Sequence, residues 1–118
     1  MNRPSHKELN KKLNEARALS EKQQVSIVEP LCFAADAIGL GYDIEDIFIT
    51  VSGLLNEILP DHYAGGRPPQ RSYEDCITGS DLFAFEWHSE ILAARVYCKF
   101  AIRGTTLWIV SLHKSRKK

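Results

Sequence analysis

Only three cysteines occur in the 118 residues, Cys32, Cys76 and Cys98, and no two form a C-x-x-C pair. An odd, scattered set argues against a disulfide framework and a structural zinc site, and fits a reducing cytoplasm. The plain reading of all three is small apolar core residues. No apolar run approaches the ~20 residues of a membrane span, and the N-terminus, MNRPSHKELNKK, has no signal-peptide core. A membrane or secreted protein is disfavoured and a cytoplasmic one is expected. There is no G-x-S-x-G, no P-loop and no H-E-x-x-H, and the four histidines, His6, His62, His88 and His113, lie far apart in sequence. No metal or cofactor is expected. Internal repeats and low-complexity segments are also missing.

Acidic residues are missing from one region. Residues 91–118 carry seven Lys/Arg and no Asp or Glu, whereas residues 24–90 carry twelve acids and two arginines, Arg67 and Arg71. The formal net charge is zero, yet the segregation can set up a strong local positive field for which phosphate is an obvious partner. The bland alternative is that the basic tail 114–118, with Lys114, Arg116, Lys117 and Lys118, only aids solubility. Apolar residues at 44% and charged residues at 25% are the balance of an ordinary globular domain. The length fits a single domain over 1–118.

Within it, residues 7–20 read as a helix, because Leu9, Leu13 and Ala16 recur at helical spacing. The stripe is thin, so the stretch 1–22 is expected to be peripheral. Residues 24–28 are too short to assign. Pro30 suits the first turn of a helix over roughly 30–38, which Gly39 and Gly41 would stop. Ile44, Ile47, Phe48, Val51, Leu54, Leu55 and Ile58 predict a helix over 44–59, N-capped by Asp43 and ended by Pro60. Residues 61–72 hold Gly-Gly and Pro-Pro and read as a loop, either a connector or a flap bearing Arg67 and Arg71. The apolar period then changes from 3.6 to 2. Strands are predicted at 82–88, with Phe83, Phe85 and Trp87 on one face, at 94–102 and at 106–113. Helices followed by an antiparallel meander over 82–113 predict an α+β fold, N-terminal helices packed on a twisted antiparallel sheet.

The strand at 94–102 places Arg95, Tyr97 and Lys99 on one face and Val96, Cys98 and Phe100 on the other. A three-residue turn at Arg103-Gly104-Thr105 would set Tyr97 opposite Ser111 and Arg95 opposite His113. A two-residue turn would instead bring Val110, Leu112 and Lys114 to that face, because a one-residue slip exchanges faces. The first register is favoured, and it gathers Arg95, Tyr97, Lys99, Ser111 and His113. Such a set suits RNA cleavage without a metal. A base must take the ribose 2′-OH proton, an acid must protonate the leaving 5′-oxygen, and cations must stabilise the phosphoryl charge. Histidine, with a reference pKa of ~6.5 against ~10 for tyrosine, is the readier base at neutral pH. The plain alternative is a solvated sheet face with no chemistry.

Three segments carry a resemblance to a known family. They are Ala37-Ile38-Gly39-Leu40-Gly41-Tyr42-Asp43 leading into an amphipathic helix, Arg95-Val96-Tyr97-Cys98-Lys99-Phe100, and Leu107-Trp108-Ile109-Val110-Ser111-Leu112-His113. Together they resemble the MqsR toxins of bacterial toxin–antitoxin pairs, which share the RelE-type messenger-RNA interferase fold. The resemblance implies a cytoplasmic endoribonuclease that cuts mRNA and an antitoxin protein that neutralises it. Tyr97 matches the family's functional tyrosine on its V-Y-x-K strand. His113, with Lys114 beside it, falls where the family uses a lysine. The family's lysine after its long helix has no clear counterpart in Pro60-Asp61-His62-Tyr63, where His62 is the candidate substitute. A family glutamine falls near Tyr73-Glu74. On this reading Tyr97, His113 and His62 are the candidate catalytic residues, and Arg95, Lys99, Lys114, Arg67 and Arg71 the candidate RNA-binding ones. The alternative is a non-catalytic RNA- or protein-binding module of the same fold.

Overall fold

The computed structural model describes residues 5–28, 30–43, 45, 47–65, 71, 72 and 74–115, with backbone alone at 30–34 and 75. Arg67, Tyr73, the side chain of Cys32 and the end of the basic tail at 116–118 lie outside the described residues.

Helix α1 spans His6–Glu21 and is opened by a capping box: the Ser5 hydroxyl accepts from the Glu8 amide at 3.1 Å while the Glu8 carboxylate reaches back to Ser5. Strand β1 (Val25–Ile27) follows, then α2 (Pro30–Leu40), which ends where Gly41 takes a φ of +80°. Helix α3 spans Ile47–Glu57. It starts three residues later than the apolar pattern suggests, and Asp43 accepts from the Glu45 amide at 3.0 Å in a turn ahead of it. Its C-terminal carbonyls are held by Arg17 of α1, whose guanidinium donates to Leu55 O at 2.9 Å and Ile58 O at 2.8 Å.

Strands β2 (Phe83–Ser89), β3 (Ala94–Arg103) and β4 (Thr106–Lys114) form the meander. The sheet runs β1-β4-β3-β2, and β1 pairs with β4 in parallel. The fold is therefore α+β around an open, mixed four-stranded sheet. This corrects the expected purely antiparallel sheet: Val25–Ile27, short as it is, finds its partner in Leu107–Ile109 across the whole intervening chain.

One sheet face carries the main core. Phe83, Phe85, Trp87, Val96, Cys98, Phe100, Leu107, Ile109 and Leu112 pack there against α1 and α3. Leu9, Leu13 and Ala16 are fully buried, so α1 is an integral layer and not the peripheral helix its thin stripe suggested. On the opposite face, near the β3–β4 turn, Ile77 and Leu82 pack with Ala101 beside Trp108 and Val110. No helix among the described residues is long and apolar enough to cross a membrane.

Candidate functional site on the open sheet face

The β3–β4 hairpin builds the site. Its turn is the two-residue kind, with Arg103 opposite Thr106 and Gly104 at a φ of +61°. That is the position a tight hairpin turn reserves for glycine. Continued along the strands, this register would place Leu112 opposite Tyr97. A β-bulge intervenes: Phe100 pairs with Ile109 but Lys99 with Ser111, so Val110 is the extra residue. Beyond it Tyr97 lies opposite His113, and Val96 opposite Lys114. The expected pairs Tyr97–Ser111 and Arg95–His113 are thus corrected. The two-residue turn and the bulge each shift the register by one, and the two shifts together restore the side-chain parity of the expected register. Arg95, Tyr97, Lys99, Ser111 and His113 stand on one face after all, and Leu112 turns into the core.

Tyr97 and His113 are stacked, with ring centroids 5.1 Å apart and planes 18° from parallel. Arg95 and Lys99 flank Tyr97 along β3, each about 6.7 Å away by strand geometry. Burial pushes the Tyr97 phenol above its ordinary value, and the nearby Cys98 and Glu86 push in the same direction. The phenol therefore keeps its proton at neutral pH and serves as a hydrogen-bond donor. The ring of His113 is oriented by its own backbone: Nδ1 lies 2.9 Å from Lys114 O. A carbonyl oxygen only accepts, so Nδ1 is the donor, and in the uncharged tautomer that this selects Nε2 is the acceptor.

β2 completes the face. Glu86 pairs with Tyr97 and His88 with Arg95 across the β2–β3 ladder. The Glu86 carboxylate accepts from Arg95 Nη2 at 3.1 Å and from the Ser115 hydroxyl. Ser115 is also tied by its amide to Arg95 O at 2.8 Å. Beside this pair opens a cleft of about 640 Å³, whose walls are Asp61–Ala64 on one side and Glu86–His88 with Arg95 on the other. His62 belongs to a 3-10 turn, Pro60–His62, and its Nδ1 accepts from the Leu59 amide at 3.0 Å. This ring has the opposite tautomer from His113: Nδ1 is unprotonated and Nε2–H is the donor. The turn is fixed by buried Tyr63, which bridges to Phe85, and by His6, whose Nε2 lies 2.6 Å from Asp61.

The structure brings Tyr97, His113, Arg95 and Lys99 onto one face and sets His62 across the adjoining cleft from Arg95. Lys114 is placed elsewhere: opposite Val96, it projects by alternation to the helix side of the sheet, exposed at the strand end. Arg71 is also apart, bridging to Asp81 with Nε 3.6 Å from its carboxylate. Arg67 lies outside the described residues. Sequence reasoning does not single out Glu86, His88 or Ser115. The alternation that sends Phe83, Phe85 and Trp87 to the core already puts Glu86 and His88 on the other face. Only the β2–β3 register shows that they meet Tyr97 and Arg95. Among the described residues, no three His, Cys, Asp or Glu side chains gather as metal ligands would. Compared with known protein families and with curated proteins, the sequence matches none.

Proposed function

We propose that the open sheet face binds RNA and cleaves it without a metal ion. The observation that carries this reading is the stacked Tyr97–His113 pair, an acceptor nitrogen beside a phenol that keeps its proton, flanked by Arg95 and Lys99. His113 Nε2 takes the proton of a ribose 2′-OH. The 2′-oxygen bonds to the adjacent phosphorus as the bond from phosphorus to the 5′-oxygen breaks. The Tyr97 phenol protonates the departing oxygen, and the imidazolium proton then returns to the phenolate through solvent. The products are a 2′,3′-cyclic phosphate and a 5′-hydroxyl. Lys99 stabilises the charge of the reacting phosphoryl group, Arg95 holds the strand beside it, and His62 orients the substrate from the cleft as a fixed donor. The likeness of Arg95–Phe100 and Leu107–His113 to MqsR toxins supports mRNA as the substrate, a RelE/MqsR-like fold, and an antitoxin protein as the partner.

A second reading is favoured by Glu86. Its carboxylate occupies the middle of the face and neutralises part of Arg95, which suits a protein- or RNA-binding module without catalysis. Variants separate the two. In EDTA and without ribosomes, Tyr97→Phe and His113→Ala are each expected to slow cleavage of a long unstructured RNA by about 10²-fold or more. Circular dichroism spectra should stay those of the wild type, because both side chains stand outside the main core. Unchanged cleavage by either variant would remove that residue from the chemistry, and no cleavage by the wild type would favour the binding module.

A further inference from the structure

The cleft beside the Glu86–Arg95 pair has a function of its own to explain. His88, on its wall, takes no part in the scheme above. Three side chains there present hydrogen-bond donors from three separate elements. His62 comes from the 3-10 turn, with Nδ1 occupied by the Leu59 amide and Nε2–H left to donate. Exposed His88 comes from β2, directly opposite Arg95 of β3. Arg95 gives Nη2 to Glu86, one of the five N–H donors that a guanidinium carries.

The two acids in the same walls are both engaged by protein donors. Asp61 is held by His6 of α1, and Glu86 by Arg95 and Ser115. Buried Tyr63 forms the remaining titratable part of the wall. The cleft thus offers donors to an incoming anion; its two carboxylates keep their negative charge, but each already faces a protein donor, Asp61 in an exposed pair with His6. A planar guanidinium beside two imidazoles is a set suited to phosphate oxygens. Arg95 is two strand residues from Tyr97, about 6.7 Å along β3, a step comparable to one extended nucleotide.

We infer that this cleft is a phosphate-binding subsite, held by His62, His88 and Arg95, for either a nucleotide phosphodiester or free phosphate. Glu86 acts in it as the built-in competitor for Arg95. The inference rests on the RNA reading only for what carries the phosphate.

The test is a titration of the full-length chain with inorganic phosphate, followed by NMR of the histidine side chains, with sodium chloride at matched ionic strength as the control. Saturable shifts at His62 and His88 are expected with phosphate and not with chloride. His88→Ala should weaken binding by about tenfold, a loss comparable to one charge-assisted hydrogen bond. His88→Gln, which keeps a donor, should recover part of it. Glu86→Gln should tighten binding by removing the competing carboxylate. Non-saturating shifts, equal shifts with chloride, or affinity unchanged in both His88→Ala and Glu86→Gln would overturn the subsite. A second arm uses a 2′-deoxy dinucleotide, which binds but has no 2′-OH to react. Tighter binding than inorganic phosphate, with His113 shifting as well, identifies the phosphodiester. Binding no tighter and confined to the cleft identifies free phosphate. Phosphate binding by a chain that never cuts RNA would sink the nuclease reading and leave the subsite standing.

Discussion

Opposite tautomers of two histidines decide what each can do. His113 donates from Nδ1 to its neighbour's carbonyl and His62 accepts at Nδ1 from an amide, so one ring offers an acceptor and the other a donor. The cysteines divide just as sharply. Cys98 is buried under the helices, and burial pushes its thiol up to about 12, whereas Cys76 is exposed. Thiolate is the reactive form, so iodoacetamide at neutral pH should alkylate Cys76 in the native protein and spare Cys98 until denaturant is added. Mass spectrometry of the digested protein reads this directly; native-state labelling of Cys98 would mean that the sheet–helix core opens readily. The sequence made the apolar role of Cys98 legible, since it alternates with Val96 and Phe100. It could not distinguish the histidine tautomers, because these depend on Leu59 N–H and Lys114 O, backbone groups with no residue signature.

At the scale of elements, one carboxylate secures the β2–β3 connection. Glu57, in the last turn of α3, accepts from Trp87 Nε1 at 3.0 Å and from the amides of Glu90 at 2.9 Å and Ile91 at 3.1 Å. Burial works to raise its pKa, but the hydrogen bonds from Trp87, Ser89, Ile91 and Glu90 outweigh it and the net shift is downward. A folded pKa below the unfolded one means that the unfolded chain binds more protons between the two values. The stabilisation is then complete above the unfolded pKa, ~4.3 for glutamate, and is lost as the pH falls through the folded one. Thermal melts of wild type and Glu57→Gln should differ most at neutral pH and converge on acidification below about pH 4. A gap that stays constant with pH would show that Glu57 acts by shape alone.

The elements also show where sequence reasoning reached and where it stopped. Period-2 patterning located all three meander strands within a residue or so, and a 3.6 period located α1 and α3. The hairpin register was not legible. Glycine at 104 allowed a two-residue or a three-residue loop, and nothing in Ile109-Val110-Ser111 announces a bulge. The bulge follows from packing: without it Leu112 would face solvent and His113 the core, so burial of Leu112 selects it. The parallel partner of β1 was equally invisible, because three residues carry too little pattern to assign.

Over the whole molecule, the charge segregation of the sequence folds into a face where acid and base meet. Arg95 and Lys99 come from the acid-free stretch, whereas Glu86 comes from the acidic middle and lies between them across the ladder. The open face is therefore modestly cationic, and RNA bound to it as proposed should make few phosphate contacts. For single strands each contact contributes a slope of about −0.7 to log K against log salt. Lys99→Ala should flatten the slope of RNA binding by about that amount, as read by fluorescence anisotropy at several salt concentrations. An unchanged slope would place the RNA elsewhere on the molecule.

The central claim, that this face cuts RNA through its own 2′-hydroxyl, is tested most directly by the products. RNA and DNA strands of one sequence are incubated with the purified chain in EDTA, and the new ends are identified by mass spectrometry. Cleavage of the RNA alone, leaving 2′,3′-cyclic phosphate and 5′-hydroxyl ends, is the predicted result. Cleavage of both strands, or RNA fragments bearing 5′-phosphates, would contradict it, because neither outcome can arise from attack by the 2′-hydroxyl.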